Sequence, residues 1–199
     1  MKAPSTSKTP RRLVIGISGA SGTIYGVRLL EVLKALPVET HLVMSKAAEM
    51  TLAYETDLKP KDVRALASVN HSVADIGASI SSGSFPTMGM VIAPCSIRTM
   101  SEIATGVTSS LMSRAADVVL KEKRRLVLAL RETPLHGGHL RTLTTLADIG
   151  AVVAPIVPAF YNKPQTVDDI INHTVGRLLD LFGIETKAVK RWEGGPAEE

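Results

Sequence analysis

With 199 residues, 45% of them hydrophobic and 21% charged, the chain has the length and usage of one globular domain with a sizeable core, which excludes a disordered polymer and any need for two domains. Aromatic residues make up only 4%, so that core has to be built from Leu, Val, Ile, Ala and Met. The net charge of +4 suits anionic ligands, but its scatter excludes a dedicated nucleic-acid binder, and the one basic cluster, Lys121, Lys123, Arg124 and Arg125, falls at a predicted helix end where the macrodipole favours cations.

Residues 1–11 are polar and basic without an apolar run, and read as a disordered leader ahead of a single domain over 12–192, with a polar tail at 193–199. Apolar runs then alternate with helical periodicity, which predicts an α/β three-layer sandwich around a mostly parallel sheet. Leu13–Ile17 is a buried strand and Ile24–Leu36 a helix stopped by Pro37. Glu39–Met44 is a strand, and Ser45 caps a helix running to about Tyr54. The stretch from Pro60 to Met88 is the least legible; Ser79–Ser84 within it has loop chemistry. Met90–Ala93 is a strand closed by Pro94, followed by helices at Ser96–Ala104 and Leu111–Lys123. Leu126–Leu130 is a strand, Leu140–Ile149 a helix ended by Gly150, Ala151–Val157 the last strand and Val167–Phe182 the last helix. The single cysteine, Cys95, excludes an internal disulfide and fits a reducing, cytoplasmic setting. No run is long and apolar enough to span a membrane.

Four strand-to-helix junctions carry the chemistry. The first, Gly16–Gly22 (GISGASG), lets backbone approach a ligand closely and hands it to a helix N-terminus, which favours an anion. No Gly-Lys-Ser/Thr follows, so it is not a P-loop, and the second strand ends in Met44 and Ser45 instead of the acid that a dinucleotide's ribose needs. A serine hydroxyl there suits a neutral or phosphorylated ligand better, so NAD is disfavoured. In the second junction, Ala93–Ser101, Ser96 and Thr99 put two hydroxyls in one helical turn and Arg98 adds charge, while Cys95 reads as an inert buried thiol. The third places Arg131 and Glu132 just past a strand end, as a phosphate grip and proton shuttle or as a local ion pair. In the fourth, Tyr161 on the last loop and Arg177 on the last helix form a phosphate clasp or ordinary packing and surface. His136 and His139 lack the acidic or Cys partners of a metal site, so no metal is expected. His41, His71 and His173 are isolated in sequence and read as structural.

Taken together, GISGASGTIYGVRLLEVL, THLVMSKAA, ETD, APCSIRTMS, RAADVVLKEKRRLVLALRETPLH, IGAVVAPIVPAFYNKPQ and RW resemble the UbiX-type flavin prenyltransferases from about Arg12 to Trp192. The resemblance implies a flavodoxin-like or Rossmann-like fold and a homo-dodecamer. It also implies transfer of a dimethylallyl group from dimethylallyl monophosphate to reduced FMN, with prenylated FMN handed to a UbiD-type decarboxylase, as in ubiquinone biosynthesis. Matching the family's motifs, FMN contacts fall on Gly19, Ala20, Ser21, Ser45, Ser96, Ile97, Arg98, Thr99 and Arg131. Prenyl-phosphate contacts fall on Tyr161 and Arg177, with Lys121 and Arg131 as further cations. Glu55 and Glu132 match the site carboxylates, Glu132 as acid/base with Ser21 as relay, and Lys121 is expected to act across a subunit boundary. Two rivals are a flavin-dependent cysteine decarboxylase, disfavoured because no histidine precedes His41, and a non-catalytic flavin-binding subunit, which would not need this set of carboxylates and cations.

Overall fold

The computed structural model describes residues 10–186, so Trp192, most of the leader and the polar tail lie outside it. Six strands form one parallel sheet: β1 (Arg12–Ile17), β2 (Glu39–Met44), β3 (Val69–His71), β4 (Gly89–Cys95), β5 (Arg125–Leu130) and β6 (Val152–Val153), in the order β3-β2-β1-β4-β5-β6. This is the doubly wound order, whose direction of winding reverses between β1 and β4. Among the described residues seven helices accompany them: α1 (Thr23–Lys34), α2 (Lys46–Glu55), α3 (Pro60–Arg64), α4 (Ile97–Ala104), α5 (Leu111–Lys121), α6 (Gly137–Asp148) and α7 (Val167–Asp180).

The strands are apolar along their whole length because both faces are covered. Leu13, Ile15 and Ile17 point with Val91 and Val127 into a core closed by α1 and α7. Val14, Met90, Ile92 and Leu128 point the other way, onto Met100, Leu111, Ala115 and Leu146 of α4, α5 and α6. Helix α1 comes to rest close over the switch point because residue 26 is glycine. A Cβ there would lie 2.5 Å from the Ala93 carbonyl oxygen and 2.7 Å from the Ile17 side chain. Arg28 ties α1 to α7 through Asn172 and Asp168.

The sequence-predicted elements are all present, with several corrections. Pro94 does not close its strand: β4 runs on to Cys95, and the missing Pro94 N–H is accommodated by a register shift between Ile92 and Cys95. The last strand is only Val152–Val153, since Pro155 and Pro158 interrupt it, although the Ala154 and Ile156 N–H groups still reach β5 carbonyls at 2.9 and 3.0 Å. Helix α6 starts at Gly137, three residues early, because His136 acts as its cap and accepts through Nδ1 from the N–H groups of Gly138 and His139. Helix α5 stops at Lys121 because Lys123 turns left-handed, with φ of 54°, and Arg124 N–H closes back on the Val119 carbonyl at 2.9 Å. The stretch 60–88 contains α3, β3 and one 3-10 turn at Ser79–Ser81, elements too short to leave a periodic signal.

Candidate functional site

The carboxyl ends of β1 and β4 lie side by side, and a serine links their two turns. Ser18, almost wholly buried, donates its hydroxyl to the Pro94 carbonyl at 2.8 Å and accepts from the Ser96 N–H at 2.8 Å. Ser45 N–H bonds the Ile17 carbonyl and Arg131 N–H bonds the Cys95 carbonyl, at 3.0 and 3.1 Å. The junctions after β1, β2, β4 and β5 are therefore fixed relative to one another. They enclose a cleft of about 540 Å³ whose walls include Gly19, Ser45, Ser96, Ile97, Arg98 and Thr99, with Glu132 on one side. Ala20 and Ser21 continue the same turn and Arg131 directly precedes Glu132, but these three side chains do not form its walls.

Three helices begin at this cleft. Ser45, Ser96 and Ser110 cap α2, α4 and α5 by accepting from Ala48, Thr99 and Ser113 N–H groups at 3.0, 3.3 and 3.4 Å. Each contributes the positive end of a dipole to the same space. Arg98 is held by Glu102 at 2.9 Å. Sequence reasoning missed Lys46, Glu102, Ser109 and Ser110, which also line the cleft, and the linking role of Ser18. Lys46 was findable as the first residue of a capped helix beside the glycine turn. Ser18 was not, because its partners lie 76 and 78 residues away. Cys95 is fully buried and its thiol is pushed up to about 12 by desolvation, in keeping with an inert role.

Glu55 closes the glycine turn. Its carboxylate accepts from the Gly22 and Thr23 N–H groups and the Thr23 hydroxyl, all at 3.0 Å, and from the Ser21 hydroxyl. Desolvation alone would raise its pKa; the hydrogen bonds from Ser21, Thr23 and Gly22 outweigh it and hold the group below its usual 4.5. Glu55 is thus an anion that caps α1. Glu55→Ala is expected to lower stability by about 1–2 kcal/mol at pH 7, read by thermal denaturation, with Glu55→Gln losing less because it keeps one acceptor. Since the folded-state pKa lies below the unfolded one, this contribution is complete above about pH 4.5 and is lost as pH falls through the folded value. The wild-type and Ala curves should converge there.

Tyr161 and Arg177 line a second cavity, of about 310 Å³, together with His173; Arg177 bonds Asp180 at 2.6 Å. Lys121 lies near neither cavity's walls; it pairs with Glu122 beside Gly83, at the end of α5 remote from the cleft. Within one chain, therefore, the residues expected at the site fall into three places. The histidines are not isolated: His41 bonds His71 at 2.9 Å and Glu39 at 2.8 Å, and His173 bonds Tyr161. Among the described residues no group of three or more His, Cys, Asp or Glu could hold a metal ion, and no helix is long and apolar enough to cross a membrane.

A family model described as Flavoprotein matches residues 1–179. The flavin prenyltransferase UbiX of Escherichia coli (strain K12) is 60% identical over 187 residues, covering 92% of this chain and 99% of that protein. A crystal structure of AnUbiX (PadA1) in complex with FMN and dimethylallyl pyrophosphate matches with a TM-score of 0.92 at 50% identity, over 94% of this chain and 100% of that one. The dodecameric FMN-dependent Ubix-like decarboxylase from Escherichia coli O157:H7 matches with a TM-score of 0.90 at 50% identity, over 92% of this chain and 100% of the other.

Proposed function

The chain belongs to the UbiX family of flavin prenyltransferases, and on that premise we propose that it joins a dimethylallyl group from dimethylallyl monophosphate to N5 and C6 of reduced FMN, releasing phosphate. The observation that carries this reading is the cleft at the β1/β4 switch point, where three helix N-termini, a set of hydroxyls and the carboxylates of Glu102 and Glu132 converge. The cleft suits FMN. Its volume of about 540 Å³ lies in the range of cofactor pockets. The helix N-termini with Lys46 and Arg98 match a phosphate, and Val73, Ile97 and Met112 offer apolar walls to a flat ring.

When bound, reduced FMN supplies the nucleophilic nitrogen and the ring carbon that accept the prenyl group. The protein's share is binding, charge stabilisation and proton movement. Arg131, Arg177 and Lys121, with the Tyr161 hydroxyl, oppose the charge that develops on the departing phosphate. A monophosphate leaves less readily than a diphosphate, so this cation set carries more of the work. Glu132 protonates the phosphate and assists proton loss at ring closure. Ser21 is the assigned relay, and its hydrogen bond to Glu55 keeps its hydroxyl oriented at the turn.

The chain works as a homo-oligomer, which exposed apolar side chains such as Met50, Tyr54, Val157 and Phe160 support. Its product serves a UbiD-type decarboxylase in the cytoplasm. The decisive experiment mixes the protein anaerobically with reduced FMN and dimethylallyl monophosphate. A flavin mass raised by one prenyl unit, with phosphate released, is expected. No mass change with mono- or diphosphate donors would leave only a flavin-binding subunit.

A further inference from the structure

Tyr161 is placed on a loop without regular structure, residues 154–166, yet its hydroxyl has a fixed partner. His173, 5% exposed on the inner face of α7, sets its Nε2 2.9 Å from Tyr161 Oη, and the two rings meet edge to face with centroids 5.4 Å apart. Arg177 follows one turn later on the same helix face, and all three side chains line the cavity of about 310 Å³. Helix α7 is itself held against α1 by the contacts of Arg28 with Asn172 and Asp168. The hydrogen bond therefore conveys the position of a packed helix to a side chain on an irregular loop.

The charge state of His173 fixes what that bond can do. Its pKa lies below the ordinary value, first because of desolvation and then because of the neighbouring Arg177 cation, with Asp180 opposing. A neutral imidazole has one donor and one acceptor nitrogen. If Nε2 accepted, it would take the hydrogen of the Tyr161 hydroxyl and present only lone pairs to the cavity. If Nε2 carries the hydrogen, it donates to Tyr161 Oη, and the hydroxyl hydrogen is directed to another acceptor. An anion beside Arg177 selects the second arrangement, and the donated bond makes the hydroxyl a stronger donor in turn.

We propose that His173 is a positioning residue of the prenyl-donor subsite, its Nε2–H donating to Tyr161 Oη so that the tyrosine hydroxyl donates to the donor's phosphate next to Arg177. This rests on the reading of Tyr161 and Arg177 as phosphate ligands. His173→Phe, which keeps a ring but no donor, should lower kcat/KM for dimethylallyl monophosphate about tenfold and leave FMN affinity unchanged. His173→Gln, whose amide N–H reaches the place of Nε2, should restore the value to within about twofold of wild type. In a Tyr161→Phe background, His173→Phe should cause no further loss, because the histidine acts only through that hydroxyl. Thermal melts check folding, and His173→Leu replaces His173→Phe if the larger ring does not fold. A full and additive loss in the Tyr161→Phe background, a silent His173→Phe, or a silent Tyr161→Phe would each overturn the proposal. Failure of wild-type protein to prenylate flavin would instead overturn the functional reading on which it rests.

Discussion

Glu132→Gln is expected to bind FMN as wild type does and to prenylate it at least about a hundredfold more slowly, the loss typical of removing a positioned acid/base. The substitution is nearly isosteric. In the native chain Glu132 Oε1 accepts from the Thr133 N–H at 3.1 Å, and the glutamine carbonyl can accept the same bond, so the loop after β5 keeps its course. The side chain lines the cleft, yet the change leaves untouched the helix N-termini and hydroxyls proposed to hold the flavin. What disappears is the carboxylate that the cleft lining places just past the end of β5. Flavin affinity by fluorescence titration, and prenylated flavin and phosphate by rapid quench, separate the two effects. Turnover at the wild-type rate would remove Glu132 from the proton path.

The other carboxylate matched to the family cannot take over that role in this geometry. Glu55 is saturated by donors from Ser21, Gly22 and Thr23 and is held as an anion. A group stabilised in its ionised form is a poor proton donor near neutral pH. Its contribution is the shape of the glycine turn, and the division of labour between two glutamates follows from what each one accepts.

The buried strands and capped helices were legible because their signals are local. Leu13–Ile17 is apolar throughout because both faces are covered, and Ser45 and Ser96 stand where a cap must stand. The cleft was legible through the same logic, since glycine and serine at strand ends announce ligand-facing turns. The misses share another cause. Ser18 and the pairs His41–His71 and Tyr161–His173 depend on which elements become neighbours, and that is a property of the strand order. His136 escaped notice for a narrower reason: an imidazole nitrogen can accept at a helix start as a serine oxygen does, but histidine is not among the usual caps.

Lys121→Ala is expected to reduce prenyl transfer by about 10²–10³, the loss found when one donor to a developing negative charge is removed, and the defect should be complemented by a second, differently defective chain. Helix α5 begins at the cleft, where Ser110 and Met112 form part of the wall. Lys121 lies ten residues beyond Leu111, so the helix carries it about 15 Å away along its axis, farther than a lysine side chain can reach back. It stands beside Glu122 and Gly83 instead. We propose that a lysine so placed meets the phosphate in the site of a neighbouring subunit. Co-expressing Lys121→Ala chains with Glu132→Gln chains then creates sites in which an intact Glu132 from one subunit faces an intact Lys121 from the next, about a quarter of all sites under random assortment around closed interfaces. Prenyl transfer should rise to a corresponding fraction of wild type, far above either parent. If Lys121 served its own chain, every site would lack one group or the other and the mixture would stay at the parental level, so this result alone decides between the two arrangements.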